Sequence, residues 1–240
     1  MKKILNLIMA LSILAAAPVA MAEGALDKGN FSANIAYTTD YVYRGISLSN
    51  DNAAISGGFD WGYSGFYVGT WASSISPVED ETMEIDFYGG YGGEISGVSY
   101  TIDLLYYFYP GQSGDPTPDL DFFEFGGSLG YTFAAPLEPT IGMSIMHSTD
   151  FFAETGSSTY YKTSLGLSLP AEFGLGFTYG YQDLDEDKQV INGYNHWGVD
   201  LSRSLSIFDF TIGYSGTDGN GETFEGDGTT KIVFTVGASF

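Results

Sequence analysis

After residue 22 the chain alternates apolar and polar side chains with a period of two, in segments of about ten residues, and sustains no apolar run of the roughly twenty residues that a membrane-crossing helix needs. A period of two is the signature of a strand, because successive side chains point to opposite faces. Phe31, Ala33, Ile35 and Tyr37 alternate with Ser32, Asn34, Ala36 and Thr38. Val98, Tyr100, Ile102, Leu104, Tyr106 and Phe108 are set against Ser99, Thr101 and Asp103. Phe173, Leu175, Phe177, Tyr179 and Tyr181 are set against Gly174, Gly176, Thr178 and Gly180. Comparable segments fall at 53–61, 66–73, 83–91, 123–131, 141–145, 161–169, 197–201, 208–214 and 232–240, twelve in all.

The connections sort by length. Short turns are expected at 62–65, 93–97, 170–172 and 204–207, with a longer one at 134–139. Longer polar loops are expected at 41–51, 75–82, 110–119, 149–158, 183–193 and 215–229. Short turns at one end and long loops at the other describe an all-β, antiparallel, up-and-down transmembrane barrel of about twelve strands. An even strand number places both termini on the short-turn, periplasmic side. A secreted β-sandwich would also alternate, but its polar face meets water and should be rich in Lys, Arg and Glu. Here that face is mostly Gly, Ser and Thr with scattered carboxylates, and the chain has only eight basic residues. The segments also exceed the usual five or six residues of a strand in a soluble sheet.

The start of the chain reads as an export signal: Lys2 and Lys3, an apolar stretch over 4–20, then Ala20-Met21-Ala22 as a small-x-small cleavage site. Residues 1–22 are thus expected to be a signal peptide and 23–240 a single barrel domain. Cysteine is absent, which excludes disulfides, Cys-based zinc sites and a lipidated Cys. Without Lys2 and Lys3 the mature chain would carry six basic against 30 acidic side chains, a net charge of −24. Nucleic-acid binding needs a basic footprint and is excluded. Phe240, in register with Ile232, Phe234, Val236 and Ala238, is expected to serve the outer-membrane assembly machinery as a C-terminal signal. The other expected partners are outer-membrane lipid and lipopolysaccharide, which the aromatic-rich outward face suits.

Four stretches carry a family likeness: Thr38-Thr39-Asp40-Tyr41-Val42-Tyr43-Arg44-Gly45-Ile46-Ser47, the run from Ser64 to Ser74, Glu84-Ile85-Asp86-Phe87-Tyr88-Gly89-Gly90-Tyr91, and Tyr106-Tyr107-Phe108-Tyr109-Pro110-Gly111. They resemble the TorF-type family of porin-like proteins of proteobacteria, most densely over 30–135. The resemblance implies a porin-like barrel in the outer membrane and brings no catalytic residues. Family members often carry a Cys where Thr70 stands, so no thiol role is available at that position.

The same parity assigns candidate lumen residues. Glu84, Asp86, Asp103, Glu124, Asp200 and Asp209 alternate with outward apolar residues, and Lys162 and Lys231 are the matching inward cations. If the first strand continues past Tyr37 in register, Asp40 and Arg44 share the inward face, either as a selectivity pair or as a salt bridge shaping the first loop. An excess of inward acids makes an open lumen prefer cations; a plugged barrel with an internal charge network is the alternative. The expected function is passive diffusion of small solutes or ions, with a non-conducting structural or surface-binding barrel as the second possibility and an outer-membrane enzyme as the third. Enzymes of that kind need His beside a nucleophile or acid. The two histidines are His147, expected outward, and His196, expected inward beside Asp200. No catalytic residue, cofactor or metal is expected: Asp183, Asp185 and Asp187 open like a calcium loop, but Tyr194 stands where the closing Glu is required.

Overall fold

The computed structural model describes residues 24–78, 81–111, 118–185, 187–188, 192–222 and 230–240. The expected signal peptide, 1–22, lies outside them, as does residue 23. Fourteen strands occur in the described residues: β1 (Phe31–Thr38), β2 (Val42–Tyr43), β3 (Ile46–Ser47), β4 (Ala54–Tyr63), β5 (Phe66–Val78), β6 (Glu81–Ile95), β7 (Val98–Phe108), β8 (Phe122–Thr132), β9 (Thr140–Ser148), β10 (Ser158–Leu169), β11 (Phe173–Leu184), β12 (Gly193–Leu205), β13 (Phe208–Thr217) and β14 (Thr230–Ser239). Twelve of them close an antiparallel barrel in chain order, while β2 and β3 form a separate two-stranded hairpin inside the first long loop. Closure runs between β1 and β14, with Tyr37 opposite Val236 and Asn34 opposite Ser239. Reciprocal bonds between the backbones of Ala33 and Phe240 (2.9 and 3.1 Å) finish the seam.

Local chemistry explains the short-turn end. Ser64-Gly65 and Ser96-Gly97 hold positive φ at both central positions, as two-residue hairpins matched to strand twist require. At the other end, residues 75–78 and 81–82 are strand within a stretch expected as a long polar loop: β5 runs to Val78 and β6 starts at Glu81. Polar residues can carry a hydrogen-bonded ladder above the apolar belt, and the register shift between Ser74 and Val78 absorbs Pro77, which has no N–H to give.

The outward face is apolar from β1 to β14. Ile55, Ile102 and Ile232 are 62%, 62% and 73% exposed, and they belong to a continuous belt with Phe59, Val68, Phe87, Leu129, Met143 and Ile212. A water-facing surface does not sustain so extended an apolar patch; a lipid-facing one demands it. Outward aromatics gather at the short-turn rim, where Phe66 meets Tyr91 (4.9 Å) and Tyr131 meets Phe133 (4.9 Å). This is the aromatic girdle of a transmembrane barrel.

The inner wall of the short-turn half is made of small residues. Tyr67 and Tyr88 lie along it, donating their hydroxyls to Asp103 and Asp60. Glycine beneath them makes room: a Cβ on Gly69 would sit 2.6 Å from the Tyr88 ring, and one on Gly90 would collide with the Tyr67 hydroxyl and the Ile102 carbonyl. Gly90→Ala should therefore cost about 1–3 kcal/mol through overpacking. Urea unfolding of the refolded barrel in lipid vesicles measures this, and an unchanged midpoint would contradict the packing.

Candidate functional site

β1 ends at Thr38, and the chain then turns inward instead of lengthening the barrel. The Thr38 hydroxyl donates to the Asp40 carbonyl (2.9 Å), and the buried Asp40 carboxylate accepts from the hydroxyls of Ser47 (2.5 Å) and Ser49 (2.8 Å). The Leu48 N–H donates to the Tyr41 carbonyl (2.7 Å), and the Tyr41 N–H donates to Ser49 Oγ (2.8 Å). These bonds draw 40–49 into a narrow hairpin, β2 and β3, whose tip is Arg44-Gly45 with φ of 48° and 87°. Gly45 is needed twice over. A side chain there would strain the left-handed backbone, and its Cβ would meet Thr217 at 2.7 Å and His196 at 2.8 Å.

The hairpin crosses the lumen and is fastened to the opposite wall. The Tyr41 hydroxyl donates to Glu84 on β6 (2.5 Å), which also accepts from Tyr109 (2.5 Å). Tyr43 shares a hydrogen bond with Tyr107 on β7 (3.1 Å). Arg44 reaches furthest: one terminal nitrogen pairs with Glu124 on β8 (2.6 Å) and the other donates to Gln182 on β11 (2.7 Å). Its guanidinium also lies over the rings of Tyr43 (4.6 Å) and Tyr160 on β10 (4.1 Å). Arg44, Glu124 and Gln182 are all buried. Away from water such a pair is strongly directional, and removing one partner leaves an uncompensated charge at a cost of about 3–5 kcal/mol. The flanking rings add up to about 2 kcal/mol of cation–π attraction when desolvated.

Around the hairpin the long-loop half of the lumen is filled. Tyr107 stacks on Phe122 (4.1 Å), and Phe122 meets Phe151 (4.7 Å) from the β9–β10 connection, whose Phe152–Glu154 segment is a 3-10 turn. Leu105, Leu120, Met146 and Tyr160 belong to the same buried cluster, together with Tyr41 and Tyr109. Outside the hairpin, at the mouth, is a cavity of about 580 Å³ bordered by Ser47, Leu48, Asn52, Ile75, Tyr109 and Phe152. On the short-turn side the wall returns to Gly, Ser and Thr, and inward groups such as Asp60, Ser128 and Asp200 are only half-buried.

The sequence-derived candidates are distributed along this axis. Glu84, Asp86 and Glu124 surround the hairpin in full burial. Asp103 lies lower and accepts from Thr101 (2.7 Å) and Tyr67. Asp200 is half-buried against Gly213, and Lys162 follows Tyr160 on the inward face of β10. Lys231 pairs with Asp51 at the mouth (2.6 Å). Asp209 accepts from Ser204 (2.5 Å) at the short-turn end. Asp40 and Arg44 do not bridge one another: because β1 stops at Thr38, Asp40 ties the base of the hairpin while Arg44 pairs with Glu124. Nor does His196 partner Asp200, four residues along the same strand; its Nε2 bonds the Tyr160 hydroxyl (2.8 Å) and its ring stacks on that ring. His147 faces outward against Phe125 and bonds Thr159 (2.9 Å). Asp183 and Asp187 are exposed and Asp185 half-buried, and among the described residues no group of three His, Asp or Glu could hold a metal ion.

Sequence reasoning missed Tyr41, Tyr43, Tyr107, Tyr109, Tyr160 and Gln182 as parts of the site. A signal was present. Leu105, Tyr107, Phe122, Met146 and Tyr160 are large apolar or aromatic residues on the polar face of their strands, all near the long-loop end. Such side chains ask for something inside the barrel to pack against.

Comparison with known proteins extends this description. A model of the Gcw_chp family, described as a bacterial protein of unknown function, matches residues 22–240. Curated protein sequences give no match. Among solved structures, the KdgM porin is similar with a TM-score of 0.58 at 8% identity, covering 87% of this chain and 98% of that one. A membrane protein from a study of in-meso crystallization is similar with a TM-score of 0.54 at 8% identity, covering 88% and 83%. Omp33 of Acinetobacter baumannii has a TM-score of 0.49 at 9% identity, covering 88% and 97%. At such identities the likeness to KdgM is one of fold: a closed porin-like barrel.

The Arg44–Glu124 pair is testable by a double-mutant cycle. Arg44→Ala and Glu124→Ala should each destabilise the refolded barrel by about 3–5 kcal/mol. The double variant should lose less than the sum, with a coupling of about 1.5–3 kcal/mol. Strict additivity in the unfolding free energies would show that the two side chains do not depend on one another.

Proposed function

The chain belongs to the Gcw_chp family of bacterial proteins of unknown function, and from that premise we propose that it is a narrow outer-membrane channel for passive diffusion of small solutes, cation-preferring, constricted by its first loop. The observation that carries the proposal is the lumen itself. A closed barrel with a lipid-suited exterior encloses a Gly-, Ser- and Thr-lined half, and that half narrows onto a hairpin anchored to the wall by Tyr41, Tyr43 and Arg44. The resemblance of 38–47 to the TorF-type porin-like proteins and the KdgM-like fold support the same reading. So does the expected signal peptide, which would deliver the chain to the periplasm and outer membrane, with the short turns on the periplasmic side.

Cation preference follows from the inward charges. Asp60, Asp200 and Asp209 are half-buried inward carboxylates on the short-turn side, Glu84, Asp86 and Asp103 stand buried around and beneath the hairpin, and Arg44 pairs with Glu124 and Lys231 with Asp51. Carboxylates along a confined path repel anions and concentrate cations. One observation favours the second possibility, a non-conducting barrel: the aromatic packing of Tyr107, Phe122 and Tyr160 around the hairpin fills the long-loop half.

Planar-bilayer recording decides between them. In a KCl gradient the wild type should give small discrete steps with a reversal potential toward K⁺, and Arg44→Ala should give larger steps. A correctly folded protein that stays silent both as wild type and as Arg44→Ala would overturn the channel, and anion selectivity would overturn the role given to the carboxylates.

A further inference from the structure

The groups that hold Arg44 belong mostly to the barrel wall, not to the loop that carries it. Glu124 on β8 and Gln182 on β11 each take a hydrogen bond from a different terminal nitrogen, at 2.6 and 2.7 Å. Tyr160 on β10 covers the guanidinium face at 4.1 Å. Each wall group is fixed by a neighbour of its own: Glu124 by the Tyr107 hydroxyl (3.1 Å), Gln182 by Ser158, and Tyr160 by His196 (2.8 Å). Only Tyr43 comes from the hairpin. The wall therefore presents a preformed carboxylate, an amide oxygen and an aromatic face with or without Arg44. That is the donor–acceptor and stacking pattern that a planar, delocalised cation satisfies and a compact ammonium does not.

The wall also has capacity that Arg44 leaves unused. Asp86 is fully buried, and among the described residues neither of its carboxylate oxygens has a hydrogen-bond partner; Glu124 Oε1 lacks one as well. A buried carboxyl without donors is costly to ionise, and a cationic donor is what would stabilise its charged form. Glu84, by contrast, is occupied by two tyrosine hydroxyls.

We infer that this cage is a recognition site for solutes bearing a guanidinium group, and that Arg44 is its intramolecular stand-in, displaced when such a solute enters. The passage of the solute rests on the channel proposed above; its binding does not. Tethering matters for the affinity. A group held on a short loop competes at an effective concentration of the order of millimolar, so a free guanidinium binds the wild type more weakly than a protein without Arg44. Anionic solutes meet the Glu124 carboxylate and are rejected. Neutral planar amides fit the shape but bring no charge.

The test uses the folded full-length barrel in detergent and methylguanidinium chloride as the probe, with KCl at equal ionic strength and urea at equal concentration as controls. Arg44→Ala should bind methylguanidinium at least about tenfold more tightly than the wild type, and its thermal unfolding should shift upward with the probe but with neither control. Arg44→Ala/Glu124→Gln should lose both effects. Should Arg44→Ala fail to fold, Arg44→Met preserves the bulk of the side chain and serves in its place. Equal responses to methylguanidinium and KCl would overturn the site. Bilayer recording separates the two proposals. Conduction in KCl without any distinct effect of methylguanidinium overturns the cage and leaves the channel standing, whereas binding by a silent protein upholds the cage and removes the channel.

Discussion

A wall that stands in lipid can leave no backbone N–H or C=O unpaired, and closure of the β1–β14 seam is how this chain meets that demand. The consequences reach every residue. Outward positions are committed to apolar and aromatic side chains, and the wall has no edge at which polar chemistry could be placed. Whatever distinguishes this barrel from others of its fold must therefore lie inside it or in its loops. The small inward residues of the short-turn half leave space, and the large inward residues of the long-loop half call for an occupant.

That occupant is the first loop, and the interaction that holds it is the buried pair of Arg44 and Glu124. A guanidinium sealed from water needs its charge, its donors and its faces all provided for. Glu124, Gln182 and Tyr160 provide them from one stretch of wall, β8 to β11, and Tyr43 from the loop itself. An apolar tip would have gained dispersion contacts without a defined orientation. An ion pair fixes one register of the hairpin, and Gly45 then packs against β12 and β13, where no side chain fits. The arrangement also makes the constriction conditional: the bonds that close the lumen can be met by a competing cation.

Much of the fold was readable because lipid imposes its pattern residue by residue. Val98 to Leu104 alternate so regularly that the strand and its outward face follow from parity alone. The strand of 66–78 was read short because parity weakens above the apolar belt, where Ser and Thr suffice for the ladder. Inward positions of Glu84, Asp86 and Glu124 were also readable by parity, but their partners were not. The Arg44–Glu124 contact joins residues 80 apart, and the one between Arg44 and Gln182 spans 138. No periodicity reports a contact across the lumen. The assumption that the first strand keeps its register past Tyr37 placed Asp40 and Arg44 together, whereas the turn after Thr38 sends them to different partners. The misplaced aromatics Tyr107 and Tyr160 were the trace that a filled interior leaves in sequence.

Hydrogen–deuterium exchange on the barrel reconstituted in lipid addresses the inward hairpin most directly. With the loop fastened inside the lumen, the amides of Tyr41 and Leu48 are bonded within the hairpin, and peptides covering 40–49 should exchange nearly as slowly as β6 and β8 in the wild type. In Arg44→Ala the same peptides should exchange quickly while the strands stay protected. If residues 40–49 of the wild type exchange as fast as the exposed turn at 134–138, the hairpin does not occupy the lumen and Arg44 holds nothing in place.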